Sequence, residues 1–190
     1  MKSRIIYIIP GIGESSRSKN YREIIKFAKK AGFLVVPINI KWEKDKTMSN
    51  FIRQADSQIP SNITQSYILG FSFGAYIASL LSTKKLAKGY IFCSISPYFK
   101  DDLKYIPNQT KKYFGKILMN SFKKYSFPQK TKSKAWFLVG DKEWDLTIKR
   151  VKKSYDNWGG QKKLYIINSA QHKLSHPKYI EKVKYILKRL

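Results

Sequence analysis

Six short apolar runs, at residues 5–9, 33–40, 67–69, 90–95, 136–139 and 164–167, recur along the chain with polar, helix-length sequence between them. Each is too short for a helix and rich in β-branched or aromatic residues, so each is expected to be a strand. The intervening sequence has a different period. Over 19–30, Tyr21, Ile24, Ile25, Phe27 and Ala28 fall on one side and Lys26, Lys29 and Lys30 on the other, which is the spacing of an amphipathic helix. The same spacing predicts helices over 48–58, 73–82, 146–158 and 178–190. Strand and helix in alternation require a mostly parallel sheet with right-handed crossovers and helices on both faces. The expected class is α/β, a three-layer α/β/α sandwich around six strands.

One connection breaks this rhythm. Between the strand ending near Ile95 and the one at Trp136 the chain runs for about forty residues, more than a single crossover needs. This stretch holds ten lysines from Lys100 to Lys134, with Asp101 and Asp102 as its only acids. Tyr113, Ile117, Leu118, Phe122 and Tyr125 recur in it at helical spacing, so 98–133 is expected to be a lid-like insertion containing an amphipathic helix. No internal repeat or low-complexity linker interrupts the sequence, and 1–190 reads as a single domain.

Composition bounds the partners. Hydrophobic residues make up 43% of the chain and aromatics 15%, enough to support a packed core despite a formal charge of +26. The basic excess is 32 lysines and only six arginines, and it is divided as +10 over residues 1–95 and +16 over 96–190. Recognition of phosphate in fixed geometry favours the arginine fork, whereas dispersed lysine is what solvated helix faces carry. Specific nucleic-acid binding is therefore not expected. Two uses of the charge stay open: an anionic substrate gathered by the lysines around the insertion, or an RNA or other anionic partner bound by a non-catalytic protein.

Cys93 is the only cysteine, which excludes an internal disulfide and a multi-cysteine zinc site. Its apolar surroundings mark it as a core residue, and its solitude fits a reducing, cytoplasmic location. The run 5–9 is cut off by Pro10-Gly11, short of a signal-peptide core or a membrane span. Trp42, Trp136, Trp144 and Trp158 are expected to be packing residues at the core or its rim.

The segment that carries chemistry is 67–78: a strand, then Gly70-Phe71-Ser72-Phe73-Gly74, then a helix beginning with small residues. A serine at a sharp strand-to-helix turn has a strained backbone, and glycines two before and two after it remove side chains that would collide there. In this context the chain resembles the α/β-hydrolase superfamily, and the order of landmarks is similar over nearly its whole length. Pro10-Gly11-Ile12-Gly13 follows the first strand, an acidic cluster follows the fifth, and His172 follows the sixth. The family's two leading strands have no counterpart, which implies a minimal member.

The resemblance implies a serine hydrolase acting on an ester, thioester or related acyl bond, with Ser72 as nucleophile and no cofactor. A hydroxyl needs an adjacent base to attack a carbonyl, and the chain has only His172 and His176. His172, in the loop after the last strand, is preferred. His176 precedes Pro177 at a helix start, where a surface or capping role is expected. For the acid, Asp141, Glu143 and Asp145 all lie in 139–145. Glu143 stands three residues after a strand-ending glycine, as the family's acid often does. Asp145 serves if the turn is longer, or caps the next helix, and Asp141 suits a turn-stabilising role. The family pattern assigns the oxyanion donors to the amides of Ile12 and Phe73.

Two rival chemistries fail on the residues present. Gly11-Ile12-Gly13-Glu14-Ser15-Ser16 lacks the third glycine of a dinucleotide fingerprint, and no acid ends the second strand to hold a ribose. The two histidines have no general-base Glu between them and no further ligands, so no metal site is expected.

Overall fold

The computed structural model describes residues 4–129 and 131–190. The first three residues of the expected 1–190 domain, and Lys130 of the expected insertion, lie outside the described residues. In chain order the elements are β1 (Arg4–Ile9), α1 (Lys19–Lys30), β2 (Phe33–Pro37), α2 (Met48–Gln58), β3 (Ser66–Phe71), α3 (Phe73–Leu81), β4 (Gly89–Cys93), α4 (Asn108–Phe122), β5 (Lys134–Gly140), α5 (Asp145–Asn157), β6 (Lys162–Ile167) and α6 (Pro177–Lys188). The six strands form one sheet in the order β2-β1-β3-β4-β5-β6, and every pairing is parallel.

Alternation along each strand divides the core in two. Ile6 and Ile8 of β1, Leu69 of β3 and Cys93 of β4 face a layer made by Tyr21, Ile24 and Ala28 of α1 and Tyr179, Val183 and Ile186 of α6. Tyr7 and Ile9, Ile68, Phe92 and Phe137 face the opposite layer, which holds Phe51 of α2, Phe73 and Ile77 of α3, Phe122 of α4 and Val151 of α5. Side chains alternate across a strand with period two, so each strand serves both cores. Full burial of one such side chain contributes about 1.5–3 kcal/mol. Trp42, Trp136 and Trp158 belong to these cores, while Trp144 is exposed at the rim.

The boundaries differ from the sequence reading where a polar or special residue ends or extends a run. The second strand stops at Pro37 rather than 40, since proline gives no N–H to a ladder, and side chains of α2 take over: Gln58 and Gln54 accept from the amides of Asn39 and Lys41. The third strand is longer than 67–69 because Ser66 and Gly70 pair in the sheet without being hydrophobic. The fourth ends at Cys93 rather than 95 because Ser94 turns to φ 54°. The fifth and sixth strands and the last three expected helices shift by a few residues at their ends.

The insertion departs further from expectation. It contains one short 3-10 turn at Leu103–Tyr105 and then α4, which is broken at Gly115 (φ 74°, ψ 165°). Of the five residues whose spacing predicts its helix, Leu118 and Phe122 are buried, Tyr113 and Ile117 are exposed, and Tyr125 lies beyond the helix end. Phe114, just before the break, packs on Tyr98 and Phe73 with ring centroids 5.0 and 6.0 Å apart. Asp101 and Asp102 fasten the segment to α5 through ion pairs with the buried Arg150, which also stacks on Phe99.

Sheet order and register fix where function can sit. The chain runs from β1 outward to β2, then crosses back over β1 to β3. Crossovers leave β1 and β3 in opposite directions, and a crevice opens beyond their carboxyl ends. Register brings those ends level: Ile9 pairs with Gly70, Phe71 with Cys93 and Gly140 with Ile167. The loops after β1, β3, β4, β5 and β6 therefore emerge side by side.

Candidate active site

The residues that leave β3, β4 and β5 are each pinned to the neighbouring strand. Ser72 N–H donates to the Cys93 carbonyl at 2.8 Å, Ser94 N–H to Leu138 at 2.8 Å, and Asp141 N–H to Ile167 at 3.1 Å. Ser72 is left at φ 54°, ψ −116°, a region that a residue with a Cβ holds only where surrounding structure enforces it. Close approach on either side supplies the enforcement. A Cβ at Gly70 would stand 2.5 Å from the Gly74 oxygen, and one at Gly74 would stand 2.1 Å from the Ile9 oxygen and 2.5 Å from that of Pro10. The start of α3 is thus pressed against the end of β1, and the loop carrying Ile12 lies beside the turn carrying Ser72.

Three of the sequence-derived site residues form one hydrogen-bonded line. Ser72 Oγ lies 2.8 Å from His172 Nε2, and His172 Nδ1 lies 2.6 Å from Glu143 Oε2. The imidazole lies against the Phe71 ring, centroid to centroid 5.0 Å. Its side chain is 42% exposed, whereas that of Glu143 is fully buried, so the line runs from the interior to the surface. Ser96 Oγ is 3.2 Å from Ser72 Oγ.

The other acids stand elsewhere. Asp145 is the first residue of α5, where no side-chain cap is formed, and it lines a cleft of about 500 Å³ together with Tyr105, Trp144 and Lys149. Asp141 has Oδ1 buried without a partner among the described residues, so the turn it begins is held by its backbone and not by its carboxylate. His176 is the N-cap residue of α6, at the helix start where a surface or capping role is expected: its carbonyl accepts from Tyr179 and Ile180 N–H at 2.9 and 3.0 Å, while its side chain makes no capping bond.

The amides of Ile12 and Phe73 donate to no acceptor among the described residues. The loop that carries Ile12 is braced by its own neighbours. Gly11 N–H donates to Tyr21 Oη at 2.9 Å, and Tyr21 Oη–H donates to Glu14 Oε2 at 2.5 Å. Asn20 donates to the other oxygen of Glu14 at 2.6 Å, and Trp42 Nε1–H to the Glu14 carbonyl at 2.9 Å. Burial, reinforced by the charge of Glu14, pushes the Tyr21 hydroxyl far above the ordinary tyrosine range, so it stays a donor. Burial also pushes the Cys93 thiol up, in keeping with a core residue.

Sequence reasoning missed Ser94, Ser96, Tyr179, Tyr21 and Glu14. Ser94 and Ser96 follow an apolar strand and Glu14 lies in the loop of Ile12, which are local signs, whereas Tyr21 and Tyr179 reach the site from helices α1 and α6. Among the described residues no group of three or more potential ligands gathers for a metal ion, and no helix is long and apolar enough to cross a membrane.

No protein-family model matches the sequence, and no curated protein does. Solved structures do. Est1E from Butyrivibrio proteoclasticus superposes with a TM-score of 0.77 at 14% identity, over 99% of this chain and 86% of that one. Alpha/beta hydrolase domain-containing protein 10 from mouse gives 0.73 at 13%, over 100% and 89%. MGS-MChE2, an alpha/beta hydrolase enzyme from a lagoon-sediment metagenome of Mar Chica, Morocco, gives 0.71 at 17%, over 99% and 90%. At such identities the likeness speaks to architecture alone, and the architecture is the α/β-hydrolase fold.

Proposed function

We propose that the chain is a serine hydrolase that cleaves an ester, thioester or related acyl bond through an acyl-enzyme on Ser72. The observation that carries the reading is the unbroken line from Ser72 through His172 to the buried Glu143, with contacts of 2.8 and 2.6 Å. In this reading His172 Nε2 removes the Ser72 proton as Oγ attacks the acyl carbon. Glu143 accepts the Nδ1 proton's hydrogen bond and stabilises the imidazolium that forms. The developing oxyanion is taken by the amides of Ile12 and Phe73. His172 then returns its proton to the leaving group, and water attacks the acyl-enzyme by the same route. The fold is shared with other α/β hydrolases, which supports hydrolysis as the general class and leaves the substrate to experiment.

Steady-state hydrolysis of p-nitrophenyl acetate by purified variants tests this assignment. Ser72→Ala and His172→Ala are each expected to abolish turnover, and Glu143→Gln to lower kcat by about 10⁴, as loss of the triad acid does in serine proteases. Asp145→Asn and His176→Ala should stay within about threefold of the parent, inside the range of substitutions away from the reacting groups. Parental turnover in Glu143→Gln, or a deep loss in Asp145→Asn, contradicts the assignment of the acid. Parental turnover in His172→Ala contradicts the mechanism.

A further inference from the structure

Glu143 offers two carboxylate oxygens, and only Oε2 is engaged by His172. The other accepts from two donors and lies near a third hydroxyl, on three separate elements. Oε1 accepts from Gly140 N–H at 2.7 Å at the end of β5 and from Ser94 Oγ–H at 2.7 Å just after β4, and it lies 3.3 Å from Tyr179 Oη on α6. Tyr179 Oη is also 2.6 Å from Ser94 Oγ. A serine hydroxyl has one proton, and since Ser94 donates it to Glu143, the tyrosine proton goes to Ser94 Oγ. The result is a directed chain, Tyr179 to Ser94 to Glu143, every member of it buried.

Two features set this chain apart from incidental packing. Ser94 holds φ 54°, a left-handed conformation unfavourable for any residue with a Cβ, and that turn is where its hydroxyl meets the carboxylate. Glutamate also has one more side-chain torsion than aspartate, so a glutamate acid needs more restraint to keep one oxygen on the imidazole. We propose that Ser94 and Tyr179 are positioning residues that lock the plane of the Glu143 carboxylate so that Oε2 faces His172. Burial, with the charge of Glu143 beside it, holds the Tyr179 hydroxyl well above the ordinary tyrosine range, so the chain keeps its direction throughout the neutral pH region. This inference rests on the serine-hydrolase reading and adds to it the device that makes its acid competent.

The test uses Ser94→Gly and Tyr179→Phe in the full chain. Glycine tolerates the positive φ without strain, and phenylalanine keeps the packing of α6, so each removes a hydroxyl and little else. Thermal unfolding, kcat and KM on p-nitrophenyl acetate, and the rate at which a fluorophosphonate labels Ser72 are measured for each. Ser94→Gly is expected to lower kcat and the labelling rate by about tenfold to a hundredfold, the worth of one hydrogen bond to a charged group, and Tyr179→Phe by about threefold to tenfold, the worth of one between neutral groups, with KM within about twofold for both. In a Glu143→Gln background the same substitutions should cost less than about twofold more, because coupled residues do not add. Parental kcat in both variants beside a deeply impaired Glu143→Gln overturns the inference alone. An equal loss in the Glu143→Gln background overturns it too, by assigning the effect to general stability. Parental activity in Glu143→Gln removes the triad reading and this inference with it.

Discussion

Gly74 leaves no space for a methyl group, since the oxygens of Ile9 and Pro10 already occupy the place a Cβ would take. Both are backbone atoms of β1, an interior strand of the sheet, and its exit, so no flexible side chain is available to yield. Gly74→Ala is expected to destabilise the fold by about 3 kcal/mol, at the upper end of overpacking effects, and to remove activity by separating the Ser72 turn from the Ile12 loop. Gly13 is the control. Its φ of +72° carries the left-handed cost, but open space surrounds it, so Gly13→Ala should cost about 1 kcal/mol. Urea unfolding of both variants checks the contrast, and equal midpoints would contradict it. The glycines of the turn were legible in the sequence because their spacing around Ser72 is local. Ser94, at the same unusual φ, was not, because its strain answers to Glu143, 49 residues away.

At the scale of elements, the strands and most helices follow from period and length, while the insertion shows where that reasoning stops. A helical spacing counted through Gly115 treats Tyr113 to Tyr125 as one helix, but the chain breaks at Gly115, Tyr113 and Ile117 are exposed, and the helix ends at Phe122. Periodicity carries no information about a single left-handed residue. Charge and spacing bring Asp141, Glu143 and Asp145 to the same loop and the family spacing favours Glu143; that Glu143 is the one that meets His172, with its other oxygen held by Ser94 and Gly140, is visible only in the packing. The loop after β1 gives a prediction of its own. Helix α1 braces it through Tyr21, whose hydroxyl accepts from Gly11 and donates to Glu14. Tyr21→Phe leaves a buried amide without an acceptor, so it should lower stability by about 1–3 kcal/mol and lower kcat by about tenfold, since oxyanion-hole donors act chiefly on the transition state. Unchanged kcat with lowered stability would show that Tyr21 supports the fold and not the Ile12 amide.

For the whole molecule, the parallel sheet and its switch between β1 and β3 gather onto one edge residues that lie far apart in the chain. Ser72 and His172 are a hundred positions apart and in hydrogen-bond contact. The resemblance implied that meeting; the alternation of strand and helix did not specify which residue of the loop after β5 would stand against His172. The charge of +26 stands outside this logic. Arg150 is its one fully buried cation among the described residues that joins insertion to body, through Asp101 and Asp102, and the remaining lysines are mostly exposed. The central claim is that Ser72 is an activated nucleophile, and covalent labelling addresses it without presupposing a substrate. Intact protein is treated with a fluorophosphonate and the adduct located by peptide mass spectrometry. The account predicts one adduct, on Ser72, absent in Ser72→Ala and formed at least about a hundredfold more slowly in His172→Ala, which lacks the general base. No adduct on the parent protein, or labelling of Ser72 at an unchanged rate without His172, would contradict it.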